Sequence, residues 1–62
     1  MTRYHDGFSS TAVTADPSGR RIVIEGFDGK LLVHHTTYSV ETAEIIAAEI
    51  ATLVARIRGT AR

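Results

Sequence analysis

The chain has no cysteine, no tryptophan and a single proline, and its aromatics are two tyrosines and two phenylalanines in 62 residues. Without cysteine there is no disulfide framework and no thiolate zinc site, so two common staples of small domains are excluded. Net charge is missing too: seven lysines and arginines balance seven aspartates and glutamates. A neutral chain creates no global field drawing it to nucleic acid or an anionic membrane surface. Nor is there a long apolar run. Glu41, Glu44 and Glu49 interrupt the most hydrophobic segment, whereas a membrane span needs roughly 18 apolar residues in succession. The opening residues lack the apolar core of a signal peptide. These absences predict a cytoplasmic protein that does not enter a membrane. They also leave oligomerisation as the remaining way for so short a chain to complete its core.

What is present concentrates in the last third. Ala43, Ile46, Ile50, Leu53 and Ile57 recur at steps of three and four, with Ala47 and Val54 on the same side. That spacing predicts one amphipathic helix over about 40–58. Ser39 is the best N-cap, Glu41 suits the positive helix end, Arg56 and Arg58 suit the negative end, and Gly59 suits a left-handed C′ position. At 1.5 Å per residue the helix is roughly 28 Å long. It is expected to overhang a small sheet and carry Leu53, Val54 and Ile57 toward a second copy.

The strands are shorter signals. Residues 1–10 show no periodicity and read as a flexible N-terminal arm, with Tyr4 and Phe8 as potential anchors. Thr11 to Ala15 suits a short strand. Asp16-Pro17-Ser18-Gly19 follows as a type I turn, with proline at its second position and glycine at its fourth. Arg20 to Phe27, built on Ile22-Val23-Ile24, is the strongest strand. Asp28-Gly29 then reads as the two-residue loop of a type I′ hairpin. That loop sets Phe27 opposite Lys30, Ile24 opposite Val33 and Ile22 opposite His35, while the first turn sets Val13 opposite Ile22. One face thereby gathers Val13, Ile22, Ile24, Leu31 and Val33 for the helix. The other carries Val23, Phe27 and Leu32 among Arg21, Glu25, Lys30 and His34. One helix covers one face of a sheet, so that second apolar group predicts a partner surface.

Little in the chain points to chemistry. His34 and His35 are strand neighbours whose side chains point to opposite faces, and His5 lies in the arm, so no metal site is expected. His35 is expected at the edge of the core and His34 beside Glu25. No serine or threonine sits in a glycine-tight elbow, no phosphate loop exists, and the chain is too short to enclose a pocket. No cofactor is expected, and an enzyme is disfavoured. Arg20, Arg21, Lys30, Arg56, Arg58 and Arg62 are the candidate nucleic-acid contacts, set against zero net charge and too few aromatics for a stacking platform.

The stretch Val13-Thr-Ala-Asp-Pro-Ser-Gly-Arg-Arg-Ile-Val-Ile-Glu-Gly-Phe-Asp-Gly-Lys-Leu-Leu-Val33, followed by Ala47-Ala-Glu-Ile-Ala-Thr-Leu-Val54, resembles the core of the YbaB/EbfC nucleoid-associated family. The likeness covers roughly residues 11–58 and rests on pattern, with no diagnostic motif. It implies a small dimer that binds DNA with little sequence preference. The family's long N-terminal helix, which contributes to its dimer, has no counterpart here. The same outline resembles orphan small proteins of actinobacteria and their phages.

The expected fold is α+β: a three-stranded antiparallel β-meander over about 11–36 and one long C-terminal helix, as a single βββα domain over 11–59 with a tail at 60–62. The expected function is a non-enzymatic protein-interaction module (an adaptor, a regulator or a phage-type inhibitor). It acts as a homodimer that docks on a larger protein. Its expected interface residues are Val23, Phe27, Leu32, Ile46, Ile50, Leu53, Val54 and Ile57. The alternative is a YbaB-like DNA-binding dimer.

Overall fold

The computed structural model describes residues 2–60 of the chain. Its order is β1 (Arg3–Asp6), β2 (Ser9–Ala15), β3 (Arg21–Asp28), β4 (Leu31–Ser39) and α1 (Val40–Thr60). The strands form one antiparallel sheet in the order β1-β2-β3-β4. The class is therefore α+β with a C-terminal helix, but the sheet has four strands, not three. The stretch read as an arm contains β1 and the start of β2. Its turn explains why: Asp6 pairs with Ser9, and Gly7 takes a φ of 63°. Glycine at the first central position, followed by a residue with ordinary φ, is the type II′ hairpin pattern. The sequence signal was one glycine, easily taken for a sign of mobility.

The first expected turn forms as read. The Gly19 amide donates to the Asp16 carbonyl at 2.9 Å, closing a turn over Pro17-Ser18, and Gly19 itself has a φ of 72°. The connection is two residues longer than expected, with the Asp16 amide bonding the Arg21 carbonyl at 3.0 Å. Val13 consequently pairs with Ile24 and Ala15 with Ile22. The shift is an even number of positions, so each side chain keeps its face.

The second hairpin departs further. Asp28 pairs with Leu31, leaving Gly29-Lys30 as the loop, with Gly29 at a φ of 62°. This is again the type II′ arrangement, so Gly29 occupies the first central position and not the second. A bulge follows, with Phe27 opposite Leu32 but Gly26 opposite His34. Val33 is the extra residue, and because side chains alternate with period two, one extra residue exchanges the faces of everything beyond it. Ile24 therefore meets Thr36 and Ile22 meets Tyr38, while His35 lies directly opposite Glu25. The expected places of His34 and His35 are thus interchanged. Val33 and Leu31 are both exposed and stand clear of the helix-facing apolar group.

Phe8 fixes the β3–β4 turn from the side. Its carbonyl accepts the Gly29 amide at 3.2 Å, and its ring lies where any β-carbon at Gly29 would approach to 2.7 Å. Glycine suits the positive φ and leaves the exposed Phe8 ring where it lies.

The best-buried residues sit on the sheet face turned away from the helix. Ala12, Val23 and Phe27 are the buried apolar side chains, and Ser10 is buried beside them. Register puts them together: Ser10 opposite Phe27 and Thr14 opposite Val23. The Arg3 guanidinium lies 3.9 Å from the centre of the Phe27 ring, so its stem and cation cover what a helix would otherwise cover.

On the opposite face, α1 follows β4 without a loop. The Thr42 amide donates to the Ser39 hydroxyl at 3.2 Å, the expected N-cap. Glu41 lies in the first turn and Arg58 in the last. Gly59 does not take the left-handed C′ conformation: its φ is not positive, and the helix runs on to Thr60, whose hydroxyl donates to the Arg56 carbonyl at 2.8 Å. No residue of α1 is fully buried. The molecule is correspondingly extended, 41 × 30 × 16 Å with a radius of gyration of 13.6 Å; a compact chain of this length has about 10.6 Å.

Candidate functional site

The helix leaves the sheet as it proceeds. Ala43 and Ile46, one to two turns in, are half-buried. Beyond them Ile50, Leu53, Val54 and Ile57 are all exposed, from 39% at Leu53 to 67% at Ile57. This is the overhang expected from the length of the helix. Between helix and sheet is an apolar cleft of about 280 Å³. Val13, Ile22, Ile24 and Tyr38 form its sheet side, and Ala43, Ile46, Ala47 and Ile50 its helix side. Three of the five residues assigned to the helix-facing group are thus in place, while Leu31 and Val33 are not. Tyr38 and Ala43 complete a wall that was not expected as a site. Tyr38 escaped because the expected sheet ends at about residue 36, whereas β4 runs on to Ser39; Ala43 belongs to the expected apolar stripe but not to the expected interface residues.

The expected interface residues divide. Ile46 and Ile50 line the cleft. Leu53, Val54 and Ile57 continue the stripe into solvent. Val23 and Phe27 are covered within the chain, each 8% exposed, so only Leu32 of the far-face trio remains open. Leu32 belongs to a second uncovered group, Leu31-Leu32-Val33, at the start of β4. That strand is nine residues long and lies at the edge of the sheet.

Lys30 is not brought together with Arg20 and Arg21. Arg20 and Arg21 lie at one end of β3, and Lys30 lies at the other end, beyond Asp28. Eight strand residues separate the two ends by about 25 Å. The Arg21 guanidinium reaches the Thr37 carbonyl at 3.5 Å. Arg56 and Arg58 project from the last turns of α1, and Arg62 lies outside the described residues. The histidines are likewise apart: His34 meets the Thr36 hydroxyl at 2.8 Å on the helix-facing side, and His35 faces Glu25 on the other. Among the described residues no three histidines, aspartates or glutamates cluster as metal ligands, and no helix is long and apolar enough to cross a membrane.

Comparison with known proteins returned no matching family model, no matching curated protein and no matching solved structure.

Proposed function

We propose that this protein is a small non-enzymatic interaction module that works in the cytoplasm as a homodimer and, in that form, docks on a larger protein. The observation that carries this reading is surface the chain leaves uncovered. It exposes 5068 Å², whereas a compact monomer of 6.7 kDa exposes about 3,900 Å². The difference exceeds the roughly 800 Å² that each partner contributes to a standard protein–protein interface. Much of the uncovered surface is the apolar stripe of α1, where exposed large aliphatic side chains continue one after another, unlike the scattered hydrophobes of an ordinary monomer. A catalytic reading has no comparable support, since the one concave feature described above is lined by hydrocarbon and a single tyrosine. The DNA-binding alternative is not favoured by the separation of Arg21 from Lys30, which lie at opposite ends of β3.

Sedimentation equilibrium tests the proposal. The wild-type chain is expected at twice its formula mass at micromolar concentration, with no change on adding duplex DNA. Ile50→Asp places a charge in the stripe and is expected to abolish the dimer, because an unpaired carboxylate resists removal from water. A wild-type chain that stays monomeric up to millimolar concentration would falsify the proposal.

A further inference from the structure

We infer that a second copy of this chain seats the C-terminal stripe of its α1, Leu53, Val54 and Ile57, over the open cleft, and that the exchange is reciprocal about a two-fold axis. The inference rests on the homodimer reading above and specifies which surface makes the dimer.

The cleft cannot be filled from within its own chain. Ile57 lies seven residues beyond Ile50, about 10 Å further along a rigid helix axis, so the stripe points past the cleft. Nor is water a good occupant, because an apolar site gives it no hydrogen-bond partners. The cleft's 280 Å³ is close to twice the roughly 150 Å³ apolar cavity that accepts a benzene molecule. It therefore has room for about two large aliphatic side chains. Its rim is open, with Val13 49% and Ile50 56% exposed.

An antiparallel helix pair satisfies both copies at once. If Ile46 of one copy meets Ile57 of the other, the same register sets Ile50 against Leu53, and both contacts recur across the axis. A self-complementary patch of this kind is what a two-fold interface demands. Charge agrees with the antiparallel sense. Glu44 lies in the N-terminal half of α1 and Arg58 in its last turn, and the same register brings the Glu44 of each copy beside the Arg58 of the other. Both are solvent-exposed in the single chain. A parallel pair would instead set like charges together, which disfavours that partner geometry.

Two variants test the seat by opposite means. Ile57→Asp alters a side chain that is 67% exposed and is expected to weaken the dimer about 100-fold, the cost of desolvating a carboxylate at the contact. Ala47→Phe fills the cleft from its own helix wall and is expected to weaken the dimer comparably, while far-ultraviolet circular dichroism remains that of the wild type. Both are measured by sedimentation equilibrium beside the wild type. Monomeric variants with an intact spectrum, against a dimeric wild type, support the seat. A dimeric wild type whose dissociation constant is unchanged in Ile57→Asp overturns the seat but leaves the homodimer standing. A monomeric wild type overturns both.

Discussion

The far face of the sheet and the C-terminal half of α1 hold side chains of similar hydrophobicity in opposite conditions. Val23 and Phe27 are each 8% exposed although no helix lies on them, whereas Ile57 is 67% exposed on a helix built to bury something. The difference lies in what each region is given as a cover. Over Val23 and Phe27 the far face is closed by the chain itself. The β1–β2 hairpin places a fourth strand beside Ala12, and the Arg3 cation settles on the Phe27 ring at 3.9 Å. The helix half has only the cleft behind it and solvent ahead. Burial in so small a protein thus follows the supply of neighbours more closely than it follows hydrophobicity. The sheet covers Val23 and Phe27 from within the chain, and the helix has no such cover for Ile57.

The largest expected effect breaks the side covered from within. Phe27→Ala removes the largest buried side chain and strands the Arg3 cation above a void. It is expected to cost about 3–5 kcal/mol, near the whole stability of so short a chain. Chemical denaturation read at several protein concentrations checks this. The loss should be as large in the dilute monomer as in the dimer, since it is internal to each chain. A cost that vanishes on dilution would mean that Phe27 is buried by association, and the contrast between the two regions would collapse.

A smaller effect sharpens the helix side. Ser39→Ala removes the acceptor of the Thr42 amide and is expected to cost about 1 kcal/mol. Hydrogen exchange should show the loss in the first turn of α1, with β2 and β3 amides protected as before. Equal loosening of helix and sheet would show that the helix start is not separable from the far face. Smaller again is Arg3→Ala, expected to cost about 0.5–1 kcal/mol for an exposed cation over an aromatic ring. Its readout is stability alone, with the dissociation constant of the dimer untouched.

The two regions also differ in how readily the sequence discloses them. The helix was legible to its cap, because a 3.6-residue period sustained from Ala43 to Ile57 is a long signal and Ser39 marks its start. The helix-facing side of β2 and β3 was legible for the same kind of reason: alternation survives a two-residue change of register, so Val13, Ile22 and Ile24 arrive where expected. β4 was not, since a single extra residue at Val33 reverses its faces. Nothing about Leu-Leu-Val-His-His announces where a bulge falls. Gly29 taking the first place in its turn moves the register by two and keeps every face; the bulge adds the odd residue that reverses them. The cover on the far face was the least visible feature. Arg3 lies in four residues with no apolar period, and a cation–ring contact between strands twenty-four positions apart leaves no local trace. The interface residues placed on Val23 and Phe27 followed from that omission, because without β1 those side chains have no cover.

The smallest effect probes the loop joining β2 to β3, which belongs to neither region. The Asp16 carboxylate accepts the Ser18 hydroxyl at 2.6 Å and lies 3.3 Å from the Arg20 amide and 3.4 Å from the Arg21 amide. The Ser18 hydroxyl foremost holds the Asp16 carboxyl below its ordinary value of 3.8; loss of hydration opposes it, and the amides of Arg21, Arg20 and Gly19 add smaller contributions in the lowering direction. A lowered value in the folded chain means that the ionised carboxylate favours folding. Its contribution is present in full above the ordinary value and is lost as the pH falls through the lowered one. Ser18→Ala should move the Asp16 titration, followed by its carboxyl carbon resonance, upward toward 3.8, and should flatten the acid limb of the stability curve. Above pH 5 the variant should lose only what the turn itself loses. Neither Asp16 nor Ser18 lines the cleft, so the dimer's dissociation constant at neutral pH should equal that of the wild type. An unmoved titration would assign the shift to the backbone amides, and a weakened dimer would show that the loop reports on the helix after all.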